Sequence, residues 1–446
     1  LRESSKHIYI LKSDEGIGHR LKYTLDFING HPHFQDSMIA LQETGLSGKT
    51  IHYTKNGVTD SVWIYRQHQF YNISSGKESL FANSYRHQNQ LFHSVESVKH
   101  PEKTLNNHAI SFDIFESIFF HISRYEEWFC TDDDLNEWDA LKEDQHFLIA
   151  HNLHRQPVVD HLILLLRSIL QLPSKPIETK IVLTHDIDYL KKYTSKFQIF
   201  RKIAGHLRRG ERLAHLPRLV KDYYRSTWKG GNDPYQNLEW LLDQKYPGEK
   251  YLFLIVGGEH TFDPPHKSDD AVRKVVQLAA AHEYTIGLHP SYLTYRDGEL
   301  LAEEYDRLGK SVGHSLVNSR QHYLHFDFRR TPRHLIDVGI KHDFSMGYNR
   351  HVGFRCGTAF PYSYYSFDEE KALDLTCHPL AFMDSSCFHE AGRDGAKFKQ
   401  IFYAFFQANG ESGILNVNFH NQFFDTASYY DIPLAEMYEK LLRDFS

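Results

Sequence analysis

Ile181-Val182-Leu183-Thr184-His185-Asp186-Ile187-Asp188 is the stretch on which the reading of this chain turns. An apolar run of strand character stops in two carboxylates one residue apart. Residues two apart in an extended chain point to the same side. Asp186 and Asp188 can therefore converge at the strand's carboxyl end, where α/β folds gather their functional groups. A strand followed by an Asp-capped turn reads the same way in isolation, so the rest of the chain has to decide.

Downstream of Gly230-Gly231 the pattern is regular. Helical signals at Asp233–Gln244, Asp270–Ala281, Thr331–Val338, Ala391–Ala408 and Leu434–Phe445 alternate with strand signals. The strands are Tyr251–Val256, Tyr284–Leu288, Val317–Leu324, Asp343–Tyr348, Leu380–Asp384 and Gly413–Phe419. Such alternation implies a parallel α/β sheet or barrel. Three of its strands end in groups able to bind metal or move protons: Asp186 and Asp188, His289 in Gly287-Leu288-His289-Pro290-Ser291-Tyr292, and His420 in Asn418-Phe419-His420-Asn421. A fourth candidate is Ser319-Arg320-Gln321-His322, with Arg320 and His322 on one side of a strand. Two histidines and one carboxylate around a divalent ion leave a position open for water. A second carboxylate can take that water's proton, and an imidazole opposite can protonate a leaving group.

Upstream, the text mixes helical and strand signals. Gly18–Phe27 reads as a helix, and Thr50–Tyr53 and Ser61–Tyr65 flank a hairpin-like Lys55-Asn56-Gly57 turn. Phe81–Asn107 is polar, His-rich and without clear period, so irregular structure is expected there. Ser111–Trp128 and Pro157–Leu172 carry apolar residues at helical spacing. Pro173-Ser174-Lys175-Pro176 is the best linker. The expected domains are a smaller α+β unit over 1–177 and an α/β unit over 178–446.

With 446 residues and a net charge of -6, the chain has ample material for a core and is no polyanion binder as a whole. Four scattered cysteines, Cys130, Cys356, Cys377 and Cys387, form no CxxC pair and fit a reducing compartment. Leu1-Arg2-Glu3-Ser4-Ser5 shows no apolar leader, although the chain does not begin with Met; the expectation is a cytoplasmic protein. Its 31 histidines are roughly three times what usage of about 2% would give, so no single His carries weight alone. Lys191–Lys229 holds twelve Lys or Arg against Glu211 and Asp222, a basic helical insertion within about 190–232. It is expected to be a solvated face or to make peripheral contact with an anionic membrane or polymer. No nucleic-acid module is recognised.

On these motifs, residues 178 to 446 resemble the polysaccharide deacetylase family, the NodB-like carbohydrate esterases. The resemblance implies a distorted (β/α) barrel, with Asp186 as general base and Asp188 as metal ligand. His289 matches the first His of the family's second motif. His420 matches its general acid, in a late Leu-x-His-like motif from which the Leu is missing. The family's second ligand His is absent, since Tyr292 and Leu293 stand in its place. His322 is taken as the substitute ligand, with His314 and His325 as alternatives. Arg320 fits the base-orienting Arg by order along the chain, and Arg355 in Gly353-Phe354-Arg355-Cys356-Gly357 fits it by local appearance. Phe360-Pro361-Tyr362, with Tyr364 and Tyr365, could form a sugar platform; Arg355 and Tyr362 are thus substrate-binding candidates.

The expected function is removal of an N-acetyl or other acyl group from an N-acetylated sugar or glycan precursor. Zn is the implied ion, with Co, Ni or Mn as alternatives. Two other readings stand beside it: a non-catalytic glycan-binding or assembly protein on a deacetylase scaffold, and a metal-dependent hydrolase of a non-sugar amide.

Overall fold

The computed structural model describes residues 6–14, 17–56, 61–67, 80–173, 177–193, 199–200, 203, 216–228, 233–425 and 432–446. Ser174-Lys175-Pro176 of the linker, Gly57 of the turn and much of the basic insertion lie outside the described residues. The chain divides into two compact units. The first holds Leu1–Glu178, Phe354–Pro379 and Glu411–Gly413; the second holds Thr179–Gly353, Leu380–Gly410 and Ile414–Ser446. The division expected from sequence was contiguous, whereas the observed units interleave. A linker signal marks where the chain leaves a unit, but not where it returns.

In the first unit β1 (His7–Ser13), β2 (Ser37–Leu41), β3 (Lys49–Thr54), β4 (Val62–Tyr65) and β8 (Ala109–Ile110) form a parallel sheet of order β2-β1-β3-β4-β8. The hairpin expected between β3 and β4 is corrected: the two strands pair in parallel, Ile51 opposite Val62. A local Asn-Gly signal favours a bend without fixing the direction in which the next strand pairs. The stretch expected to be irregular contains β5 (Phe81–His87) antiparallel to β6 (Gln90–Glu96), with the short β7 (Lys103–Thr104) beside β5. Its buried face includes Asn83, Tyr85 and His87, so polar residues mask the alternation. Gln88 and Asn89, at φ 47° and 67°, make the two-residue turn that a right-twisted hairpin favours.

The helix Ile114–Ile122 begins at Asp113, whose carboxylate accepts from the Glu116 N–H, and the whole helix is buried. Ile114, Phe115, Ile118, Phe119 and Ile122 are fully enclosed, each contributing about 1.5–3 kcal/mol by burial. The long helix expected over 111–128 instead breaks at Arg124, which sits at φ 55°.

The second unit opens with β9 (Lys180–Ile187), followed by β10 (Lys250–Leu254), β11 (Thr285–Leu288), β12 (Asn318–Ser319) and β13 (His342–Asp343). The chain then returns to the first unit for the antiparallel pair β14 (Tyr362–Ser366) and β15 (Lys371–Cys377). It ends in the second unit with β16 (Leu380–Met383) and β17 (Ile414–His420). The second unit's strands run parallel in the order β13-β12-β11-β10-β9-β17-β16. Among the described residues no pairing of β16 with β13 closes them, so an α/β parallel sheet is observed and a closed barrel is not.

β9 lies between β10 and β17, which explains its apolar run. Ile181 and Leu183 are fully buried, as are Leu415, Val417 and Phe419 of β17. The alternate positions of these two central strands, Thr184 and Asp186 opposite Asn418 and His420, carry polar groups on one shared face.

Candidate metal centre

The polar face of β9 and β17 reaches the carboxyl ends of the strands, and there the sequence candidates meet. One donor atom from each of Asp188, His289 and His322 lies within 4.8 Å of the others, and all three residues are buried. Asp188 follows β9, His289 follows β11, and His322 opens the 3-10 turn His322–Leu324 after β12. The strand expected over 317–324 is therefore only two residues long. The strand ends at Ser319, which leaves His322 beyond it, and Tyr323 then bends the chain at φ 57°.

Each imidazole is held by its Nδ1. His289 Nδ1–H donates to the Arg320 carbonyl at 2.5 Å, an oxygen that can only accept. His322 Nδ1–H donates to Asp263 Oδ1 at 2.8 Å. In the neutral rings the lone pair is thereby left on Nε2, the tautomer a metal ligand needs. Asp188 Oδ2 accepts from Gln422 at 3.1 Å, while buried Oδ1 has no hydrogen bond among the described residues. His289 Nε2 stands 3.3 Å from that Oδ1. Two lone-pair donors that close repel unless a proton or cation lies between them. Ligand atoms about 2.1 Å from a tetrahedral ion lie about 3.4 Å apart, so this donor set fits a divalent ion such as zinc. Lys267, itself buried, donates to the Asp188 carbonyl at 2.6 Å and pins the strand end.

Asp186 is held without being used up. Its Oδ1 accepts from Arg320 Nη1 at 2.8 Å, and its Oδ2 accepts from Asn418 Nδ2 at 2.7 Å. Arg320 is fixed in turn by the Phe344 carbonyl, the Thr184 hydroxyl and the face of Phe253. Burial pushes the Asp186 carboxyl up, but Arg320, His289 and His420 outweigh it and hold the group below the ordinary carboxylate range. Across the strand pair, His420 Nε2 lies 3.7 Å from Asp186 Oδ2. Its Nδ1–H donates to Asp384 Oδ1 at 2.6 Å, and its backbone N–H donates to Asp384 Oδ2. Burial pulls the imidazole down, yet Asp384 first, then Asp188 and Asp186, raise it to about 9.

Asp186, Asp188, His289, Arg320, His322 and His420 thus meet in the second unit. Arg355 and Tyr362 fall in the first. There Arg355 is ion-paired with Glu127, and Tyr362 is buried on β14. Of the alternative ligands, His314 is exposed and bonds the Ser315 carbonyl, while His325 stacks on Tyr295 at 3.6 Å. Sequence reasoning missed Asp384, Asn418 and Asp263. Two of these carried a signal: Asp384 ends a strand as Asp186 does, and Asn418 lies two residues before His420. Asp263 sits in an aperiodic loop and had none.

Residues 9–174 match the model of a family of unknown function, DUF7033. No curated protein matches the chain. Among solved structures, a candidate polysaccharide deacetylase from Mycobacterium smegmatis is similar at 14% identity and a TM-score of 0.37. The match covers 61% of this chain and 87% of that one, and is too loose to assign a fold.

Proposed function

We propose that the second unit is a metal-dependent hydrolase that removes an acyl group, most simply acetyl, from an amide nitrogen on a sugar. The observation that carries this reading is the meeting of a three-donor cluster, Asp188, His289 and His322, with a separately held carboxylate and a separately held imidazole. The sugar amide as substrate rests on the motif resemblance alone. A divalent ion held by those three residues supplies, when bound, Lewis acidity toward the substrate carbonyl and the attacking water.

The protein's own groups divide the proton transfers. Asp186, kept ionised and aimed by Arg320 and Asn418, accepts the proton of the attacking water. His420 carries its proton on the Nε2 side while Asp384 holds Nδ1, and it delivers that proton to the departing amine. Arg320 and Asp384 are positioning residues: each acts through the group it holds.

The test is acetate release from N-acetylated amino-sugar oligomers by the zinc-loaded full chain, compared with the His420→Ala variant. Release by the parent and its loss in the variant are expected. Absence of release from a chain shown to hold stoichiometric metal would overturn the hydrolase reading.

A further inference from the structure

We infer that the helix Leu216–Trp228 is a docking surface for anionic phospholipid bilayers. Val220, Tyr224 and Trp228 recur every four residues, so they form one stripe, and they are 45%, 51% and 60% exposed. Lys221 and Arg225, also exposed, run along one side of that stripe. The opposite face is anchored. Tyr223 is buried against Tyr193, their ring centroids 5.2 Å apart. Asp222 accepts from the Tyr193 hydroxyl at 2.9 Å and pairs with the enclosed Lys192 ammonium at 2.9 Å. Lys192 also reaches Asp425 at 2.5 Å. With one face fixed in this way, the aromatic and basic face is held outward, and Phe200, 67% exposed, adds a further apolar side chain to the same insertion.

Charge selects the occupant. Residues 191–229 hold twelve Lys or Arg against Glu211 and Asp222, while the whole chain carries -6. Positive charge is therefore concentrated on this segment, as expected for attraction to an anionic surface. A charged polymer pairs with Lys221 and Arg225 and can stack on Trp228, but it offers no apolar medium in which Val220, Tyr224 and Trp228 are buried together. The acyl boundary of a bilayer accepts all three, with Tyr and Trp at headgroup depth. Among the described residues no helix is long and apolar enough to cross a membrane, so the contact proposed is peripheral.

The test is co-sedimentation of the full chain with phosphatidylcholine vesicles, with and without phosphatidylglycerol, in the absence of substrate. It is independent of the hydrolase reading. Expected results are binding only to the phosphatidylglycerol vesicles, weakening with salt, and roughly tenfold loss in the Tyr224→Ser/Trp228→Ser variant. Lys221→Glu/Arg225→Glu should remove most of the salt-sensitive part. Absence of binding by the parent, or equal binding by both variants, would overturn the inference. So would a parent dimer in light scattering that Trp228→Ser converts to monomer, because the stripe would then be covered by a second copy.

Discussion

Each unit buries a cluster of charges, and the two clusters are built differently. In the first unit, Glu127 lies between Arg355 and Arg124, with Glu126 also on Arg124 at 2.8 Å. Arg124 donates to the Arg355 carbonyl, and Glu126 accepts from the Phe147 N–H. Each carboxylate oxygen of Glu126 and Glu127 accepts a hydrogen bond from an arginine or a backbone N–H, although the two glutamates also stand with His146 in a group whose donor atoms lie within 4.8 Å of one another. In the second unit, the carboxylates of Asp186 and Asp188 face three imidazoles, His289, His322 and His420, and one guanidinium, and Asp188 Oδ1 has no hydrogen bond among the described residues. Burial of charge is common to both. The buried carboxylate oxygen of Asp188, left without a hydrogen bond among the described residues, is what separates the candidate metal centre from the first cluster.

Substitutions should separate the two clusters. The largest expected effect is on turnover: Asp186→Asn should lower kcat by about 10²–10⁴-fold in the loaded protein, with metal content unchanged by elemental analysis. Glu127→Gln should instead cost stability, about 3–5 kcal/mol at neutral pH in denaturant unfolding, because it leaves Arg355 and Arg124 buried with less countercharge.

That deficit should depend on pH. Burial pushes the Glu127 carboxyl up, but Arg355 and Arg124 hold it below the ordinary 4.5. Its stabilisation is fully present above 4.5 and is lost as pH falls toward the lower folded value. Parent and variant should therefore converge on acidification, and a constant gap would contradict the ionised pair.

Smaller effects should follow at the edges of the clusters. Asp263→Asn should weaken metal binding about 10–100-fold by loosening His322, measured by competition with a chelating dye. If the hydrolase proposal holds, Arg355→Lys should leave the KM of the metal-loaded chain unchanged while lowering stability; a raised KM would restore Arg355 as a substrate contact.

The sheet and the ends of its central strands were legible in the sequence because parallel strands buried on both faces read as apolar runs, and Asp186, Asp188 and His420 interrupt them abruptly. Where elements were short or turned sharply, the text misled. His322 sits beyond a two-residue strand on a turn with positive φ at Tyr323, so its apparent strand partnership with Arg320 had the neighbour right and the geometry wrong. Arg355 resembled a base-orienting Arg because Gly353 to Gly357 looks like a functional loop, yet its partner, Glu127, lies far away in the chain. Local pattern does not report a partner so remote. Asp263 shows the same limit, since only folding brings its loop to His322.

Zinc titration of the metal-free full chain by calorimetry, parent against His322→Ala, addresses the ligand set most directly. One ion per chain in the parent, with at least a hundredfold loss of affinity in the variant, is expected if Asp188, His289 and His322 hold the metal together. Equal affinity in parent and variant, or no uptake by the parent, would contradict it.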